Sequence, residues 1–253
     1  MALLSKSASS AWRAILAEFM LPTHLKACVN CLHTLMADDF VTQNGDGRVG
    51  REGYVASAFA ILTNALKVRL GDAPDCEVLT YDGEVLAYEI SEAMEPGRAR
   101  TREYADNKVR LAAGGSRVEK AEFISIEVAC SSLREIAEKK VAKATKPGSA
   151  YQKTWGLLIY FNPGFVGDAN ESADSARSKV EARMADDVEI AKGYFSEVWV
   201  LWHERLYLLW KDGLRSSQIL GPLVDEDDEY APEDDDLSDE DREFRERIFG
   251  PGD

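Results

Sequence analysis

The stretch that decides the fold reads PDCEVLTYDGEVLAYEIS and covers residues 74–91. It contains two short runs of β-forming residues, 76–80 and 85–90, separated by a few polar residues. The Asp82-Gly83 pair between these runs is a strong signal for a tight turn, because glycine adopts the positive φ that such turns need. The stretch therefore predicts a β-hairpin.

The segments on either side of this hairpin alternate between helical and extended patterns. Apolar residues at helical spacing predict helices at residues 12–20, 25–36, 52–70, 132–145 and 174–192. Runs of β-type residues predict strands at residues 123–129, 155–162, 198–202 and 205–210. The strand at 155–162 is nearly all apolar, which places it at the centre of the sheet. The order predicts an α/β fold with a mixed central β-sheet flanked by helices and with further helices at the N-terminus.

Charge divides the chain into a nearly neutral body and an acidic end. The formal net charge is −15, and residues 224–253 carry 15 acidic and 3 basic residues, which leaves −3 on residues 1–223. A self-repelling segment with little apolar surface cannot offset its chain entropy by burial. We therefore predict an N-terminal helical segment at 1–49, an α/β domain at 50–223 and a disordered acidic tail at 224–253. Docking of that tail on a protein partner is the alternative.

Composition points to a cytoplasmic protein without a membrane segment. No run approaches the ~20 apolar residues of a membrane span, and the first 20 residues lack the cleavage pattern of a signal peptide. The four cysteines are too few and too scattered for a disulfide framework, so we expect reduced thiols.

Two carboxylates are placed together by the predicted hairpin. Asp75 follows Pro74 at the entrance of the first strand, and Glu89 lies near the end of the second, with thirteen residues between the two acids. A hairpin brings both to one rim of the sheet. Two acidic oxygens at one edge suit Mg²⁺ or Mn²⁺, with phosphate and water completing the shell.

This pattern resembles the signature of the PD-(D/E)XK, or restriction-endonuclease-like, nuclease superfamily. The likeness covers residues 50–162 and includes a preceding helix that begins with an acid, Glu52. The Gly-Arg segment at 95–98 is similar to one in a group of bacterial proteins of that fold, so the chain is identified as a divergent bacterial member. The resemblance implies a restriction-endonuclease-like core and a magnesium-dependent nuclease with Asp75 and Glu89 as metal ligands.

The lysine of that signature is absent, because Ser91 stands at its position. In some members of the superfamily the lysine comes from a neighbouring helix, and the predicted helix 132–145 carries Lys139, Lys140 and Lys143. Lys140 falls on the apolar face of this helix and Lys143 borders it, whereas Lys139 lies nearer the solvent. We therefore expect Lys140, with Lys143 as the second choice, to supply the cation that assists the attacking water.

The expected partner is nucleic acid, DNA rather than RNA, and two further sets of residues could contact it. One set is basic and either contacts phosphates or forms a solvated helix face: Arg98, Arg100, Arg102, Lys108 and Arg110. The other is the aromatic hairpin, which either stacks bases or serves as core or as the contact of a homodimer: Trp199, Trp202, Tyr207 and Trp210. A catalytically inactive binding or regulatory subunit is the alternative function, since the nearly neutral body offers few cations to phosphates.

Overall fold

A computed structural model describes residues 14–35, 46–94, 109, 110, 113, 123–163, 165–167 and 171–223. All of them fall in the unit that ends at Leu223. The predicted acidic tail at 224–253 lies outside the described residues, as do Arg98, Arg100, Arg102 and Lys108. Arg110 is exposed. In this described part of the chain, no helix is long and apolar enough to cross a membrane.

The helices and strands follow one another in the alternating order expected of an α/β protein. The helices are α1 (Pro22–Leu35), α2 (Asp46–Leu62), α3 (Ile126–Ala144), α4 (Ala173–Asp187) and a short 3-10 helix, Glu189–Gly193. The strands are β1 (Lys67–Leu70), β2 (Cys76–Leu79), β3 (Val85–Ala93), β4 (Phe123–Ile124), β5 (Gly156–Phe161), β6 (Phe165–Val166), β7 (Glu197–Trp202), β8 (Arg205–Lys211) and β9 (Leu214–Leu220).

Seven strands form one mixed sheet in the order β1-β2-β3-β5-β7-β8-β9, and β4 pairs with β6 in a separate parallel pair. The strands β1, β2 and β3 are antiparallel, whereas β3, β5 and β7 run parallel. The predicted mixed sheet with flanking helices is confirmed. The hairpin of β2 and β3 and the central, buried strand β5 also lie where the sequence predicts them.

Helices cover both faces of this sheet. Leu133 and Ala137 of α3 belong to one buried cluster with Leu157 and Ile159 of β5. On the opposite face, the ring of Phe59 in α2 lies 4.6 Å from the ring of Tyr88 and 5.5 Å from that of Trp199. The strand β3 is therefore held between α2 and α3, and both helices can deliver polar side chains to it.

The helix predicted at residues 52–70 starts earlier and ends earlier in the structure. It begins at Asp46 and ends at Leu62, and Asn64 follows with φ 53, after which the chain forms β1. Val68 and Leu70 are buried in β1, so their side chains satisfy the alternation of a strand as well as the helical spacing used in the prediction. Val68 pairs with Val78 of β2, and this pairing holds the segment in a strand.

Of the strand predicted at residues 123–129, only the first two residues form a strand, β4; the prediction for the rest is wrong. Ser125 caps α3, accepting a hydrogen bond from the backbone N–H of Val128, so the helix begins six residues before its predicted start at 132. The β-branched and apolar residues of this run had favoured a strand. Burial of Ala129 and Cys130 against the sheet holds them in the helix instead.

Two elements at the end of the α/β domain depart from the prediction. The helix expected at 174–192 ends at Asp187 and is followed by the 3-10 helix, and β9 adds an edge strand that the sequence did not predict. Leu214 in β9 is 74% exposed. Because an exposed edge strand has no buried face, its sequence lacks the apolar alternation that would have revealed it.

Close packing of β3 against β5 supports a stability prediction at Gly156. A Cβ atom at this position would lie 2.3 Å from two ring carbons of Tyr88, its direct partner across the two strands. The variant Gly156→Ala should therefore lower the free energy of unfolding by about 1–3 kcal/mol through overpacking, measured by urea unfolding. A matched control is Gly193→Ala, where nothing lies within 4 Å of the added carbon. Equal stability of the two variants would contradict this account of the packing.

Candidate functional site

The two predicted carboxylates face each other across the hairpin. Asp75 directly precedes β2, Glu89 lies in β3, and the register that pairs Cys76 with Tyr88 sets these two acids opposite one another. Opposed residues of an antiparallel pair share one face of the sheet. Asp75 is 1% exposed and Glu89 is 7% exposed, so both carboxylates are buried.

The site lies where the pairing of β2 with β3 ends. Pairing stops at Cys76, the first residue of β2, opposite Tyr88, whereas β3 continues to Ala93. Beyond that point the backbone N–H of Ile90 donates to Asp75 Oδ2 at 2.8 Å, and the carbonyl oxygen of Ile90 accepts from Lys140 Nζ at 3.2 Å. A carboxylate and an ammonium thus satisfy the backbone groups that the strand partner no longer reaches.

Lys140 reaches this point from α3. Its ammonium forms a buried ion pair with Glu89 Oε1. The neighbouring Lys139 has a side chain that is 66% exposed and pairs with Glu135 at 3.5 Å, and Lys143 is exposed. The structure therefore brings Lys140 to the carboxylates, whereas Lys143 lies on the solvent side of the helix.

A tyrosine that sequence reasoning missed completes the contacts of Glu89. The hydroxyl of Tyr151, in the segment between α3 and β5, donates to Glu89 Oε1 at 2.5 Å. The ring of Tyr151 lies 5.8 Å from that of Trp155 and 6.1 Å from that of Phe195. The local sequence holds no signal for this role, because Tyr151 meets Glu89 only when β5 pairs with β3.

Glu52 is a third buried acid in the same region, carried by α2. Burial raises the pKa of the Cys76 thiol well above its ordinary value, and the negative charges of Asp75, Glu52, Glu77 and Glu89 raise it further. Glu52 therefore acts on the same thiol as Asp75 and Glu89. The Cys76 thiol stays protonated at neutral pH and is not a nucleophile.

A polar brace, formed by two hydrogen bonds to Glu92, connects the helix that carries Glu52 to the sheet. Arg51 donates from Nη1 to Glu92 Oε2 at 2.9 Å, and Asn162 donates from Nδ2 to Glu92 Oε1 at 3.0 Å. Glu92 lies near the end of β3 and Asn162 follows β5, so the brace ties α2 to both strands. These hydrogen bonds connect the helix that carries Glu52 to the strand that carries Glu89.

The chemistry of the donors fits a hard cation, though the set is small. In the described part of the chain, no group of three or more His, Cys, Asp and Glu is arranged to hold a metal ion. The opposed side chains of Asp75 and Glu89 supply carboxylate oxygens, and the carbonyl of Ile90, which accepts from Lys140 Nζ, is a further oxygen beside them. Mg²⁺ and Mn²⁺ take such oxygens and keep water or phosphate in the remaining positions.

The aromatic hairpin lies in the interior. Trp199, Trp202, Tyr207 and Trp210 are all buried, and Trp210 Nε1 donates to the carbonyl oxygen of Ala185 at 2.8 Å. Buried rings cannot stack on bases without unfolding the sheet, so these residues are core.

Comparisons with known proteins give no family for this chain. No family model matches it, and no curated protein matches it. One solved structure that the chain matches is that of a protein of unknown function from Pseudomonas aeruginosa strain PAO1, described as a member of the monooxygenase superfamily. The two share 12% identity, the match covers 79% of this chain and 94% of that one, and the TM-score is 0.38.

The family assignment made from the sequence is wrong. No model of the PD-(D/E)XK superfamily matches the chain, so it is not identified as a divergent bacterial member, and the restriction-endonuclease-like core is not confirmed. The physical reason lies in the motif. A Pro-Asp before one strand and a glutamate in the next place two acids opposite each other in any hairpin of this register, whatever the family. With Ser91 in place of lysine, the remaining pattern is too short to be specific.

Proposed function

We propose that the protein is a metal-dependent hydrolase that cleaves nucleic-acid phosphodiester bonds with Mg²⁺ or Mn²⁺. The observation that carries the proposal is the buried ion pair of Glu89 and Lys140 directly opposite Asp75.

Energetics favour chemistry over stability as the reason for this cluster. A buried ion pair costs a large desolvation energy and is often no more stabilising than apolar residues of similar volume. Here Asp75, Glu89 and Lys140 are buried together beside Ile90. A divalent cation held by the two carboxylates would add to the positive charge of Lys140 in offsetting their burial.

Each residue has a distinct part in the proposed reaction. Asp75 and Glu89 would hold the cation, which when bound polarises a phosphoryl oxygen and lowers the pKa of bound water. Lys140 would orient the attacking water and offset the negative charge that develops on the phosphorus oxygens. Glu52 would add a negative charge from α2, on the face of the sheet opposite α3.

A binding or regulatory protein without catalysis is the second candidate. Glu89 Oε1 already accepts from both Lys140 and Tyr151, so its charge is compensated without a metal ion. The small net charge of residues 1–223 also gives little general attraction for phosphates. Such a protein would keep the buried cluster and cleave nothing.

Titration with Mn²⁺ separates the two candidates. We expect calorimetry to show one bound Mn²⁺ for the wild-type protein, and Asp75→Asn to weaken this binding at least tenfold because one charged ligand is lost. Cleavage of single- and double-stranded DNA and RNA is assayed with Mg²⁺ or Mn²⁺, and EDTA should stop it. Asp72→Asn is the matched control, since Asp72 is an exposed acid three residues away.

Three results would count against the proposal. Absence of Mn²⁺ binding to the wild-type protein would show that the carboxylates serve the scaffold. Binding without cleavage of any of the four substrates would favour the binding or regulatory protein. Equal effects of Asp75→Asn and Asp72→Asn would place the cation elsewhere on the surface.

A further inference from the structure

The two carboxylate oxygens of Glu89 have different surroundings. Lys140 and Tyr151 both direct their donors at Oε1. Among the described residues, no hydrogen bond is made to Oε2 of this side chain. A carboxylate held on one oxygen by two donors has its rotation fixed, and the other oxygen keeps its lone pairs for another ligand.

Tyr151 is the more rigid of the two donors. The lysine side chain has four rotatable bonds, whereas the tyrosine ring has two and is wedged against Trp155 and Phe195, both of which are buried. Its hydroxyl donates to Glu89 Oε1, a carboxylate oxygen, and hydrogen bonds to charged acceptors are stronger than neutral ones. The position of Oε1 is therefore set by core packing around an aromatic ring.

We infer that Tyr151 is a positioning residue for the cation site. Its hydroxyl holds Glu89 Oε1 and so presents Oε2 as the oxygen that binds the divalent ion. This inference rests on the proposed function, because it assigns to that site a residue outside its carboxylates and lysine. Tyr151 itself touches neither the cation nor the phosphate.

A purely structural role for Tyr151 makes a different prediction. As a simple anchor of the segment between α3 and β5, its hydroxyl would contribute to stability and leave metal binding unchanged. The protein offers a matched case, because Tyr207 in β8 donates to Glu181 Oε1 at 2.7 Å, on α4. Both hydroxyls donate to a glutamate, Tyr207 from within the core and Tyr151 from a half-buried ring packed against it, and only that of Tyr151 meets a proposed ligand.

The test compares Tyr151→Phe with Tyr207→Phe in the full-length protein. Both variants keep the ring and lose one tyrosine–carboxylate hydrogen bond, so similar losses of stability are expected in urea. Mn²⁺ affinity measured by calorimetry should fall about tenfold or more in Tyr151→Phe, the range for a hydrogen bond to a charged group. It should stay within twofold of wild type in Tyr207→Phe. At saturating Mn²⁺, the cleavage rate of Tyr151→Phe should return to that of the wild type, because the variant loses only affinity for the cation.

The outcomes separate this inference from the function on which it rests. Unchanged Mn²⁺ affinity in Tyr151→Phe, with cleavage by the wild type intact, overturns the positioning role and leaves the proposed function standing. Weaker Mn²⁺ affinity in Tyr151→Phe, with no cleavage by the wild type, supports the positioning role and overturns the hydrolase. Failure of the wild type to bind Mn²⁺ overturns both.

Discussion

Replacement of Lys140 by alanine is expected to lower the free energy of unfolding by about 3–5 kcal/mol in EDTA. Glu89 would remain buried without the ammonium that neutralises it, and the carbonyl of Ile90 would lose its hydrogen bond. The hydroxyl of Tyr151 still donates to Glu89, which places the loss toward the lower end of that range. Urea unfolding of the two proteins measures the difference.

Lys139→Ala is the control for this substitution. Its side chain lies next in sequence, is largely exposed and forms an i,i+4 pair with Glu135, so its loss should cost at most about 0.5 kcal/mol. A Lys140→Ala protein as stable as Lys139→Ala would show that the ion pair contributes nothing in solution.

Addition of Mn²⁺ should recover part of the stability that Lys140→Ala loses. A divalent ion between Asp75 and Glu89 would replace the missing positive charge, and a ligand at 100 times its Kd stabilises a protein by about 2.7 kcal/mol. The wild-type protein should gain less, because Lys140 and the ion repel each other. An equal gain in both proteins would mean that the ion binds away from Glu89.

The variant Glu89→Gln is expected to reduce cleavage roughly 10³-fold. The substitution keeps the volume of the side chain and an oxygen for Lys140 and Tyr151 but removes the charge that binds the cation. A bound ion supplies several kcal/mol of charge stabilisation, and each 1.36 kcal/mol is a factor of ten in rate. Single-turnover cleavage at saturating substrate measures the effect, with the unfolding midpoint recorded to show that the variant is folded.

Glu77→Gln provides the matched control on the same hairpin. Glu77 lies in β2 and accepts from Arg69 Nε at 2.7 Å, so it is an ion-paired strand carboxylate two positions along the ladder from Asp75 and Glu89. Cleavage should be unchanged in this variant. Activity in Glu89→Gln equal to that of Glu77→Gln would remove Glu89 from the proposed site.

Short-range patterns account for most of what could be predicted. The Asp-Gly turn sets the hairpin, and the hairpin register places Asp75 opposite Glu89. Helical periodicity was sufficient to place Lys140 on the inner face of α3, because its neighbours on that face are apolar. Periodicity failed at Val68, where alternation and helical spacing coincide, and in β9, which has no buried face.

The sequence by itself determined the hairpin and the inward direction of Asp75, Glu89 and Lys140, since these follow from turn chemistry and from the periods of strand and helix. Only the tertiary structure decided which of them meet. Lys140 lies 51 residues from Glu89 and Tyr151 lies 62 residues from it, and both contacts depend on the parallel pairing of β3 with β5 under α3. Parallel pairing joins segments that are distant in the chain, so the residues next to Tyr151 in the sequence do not indicate that its side chain contacts β3.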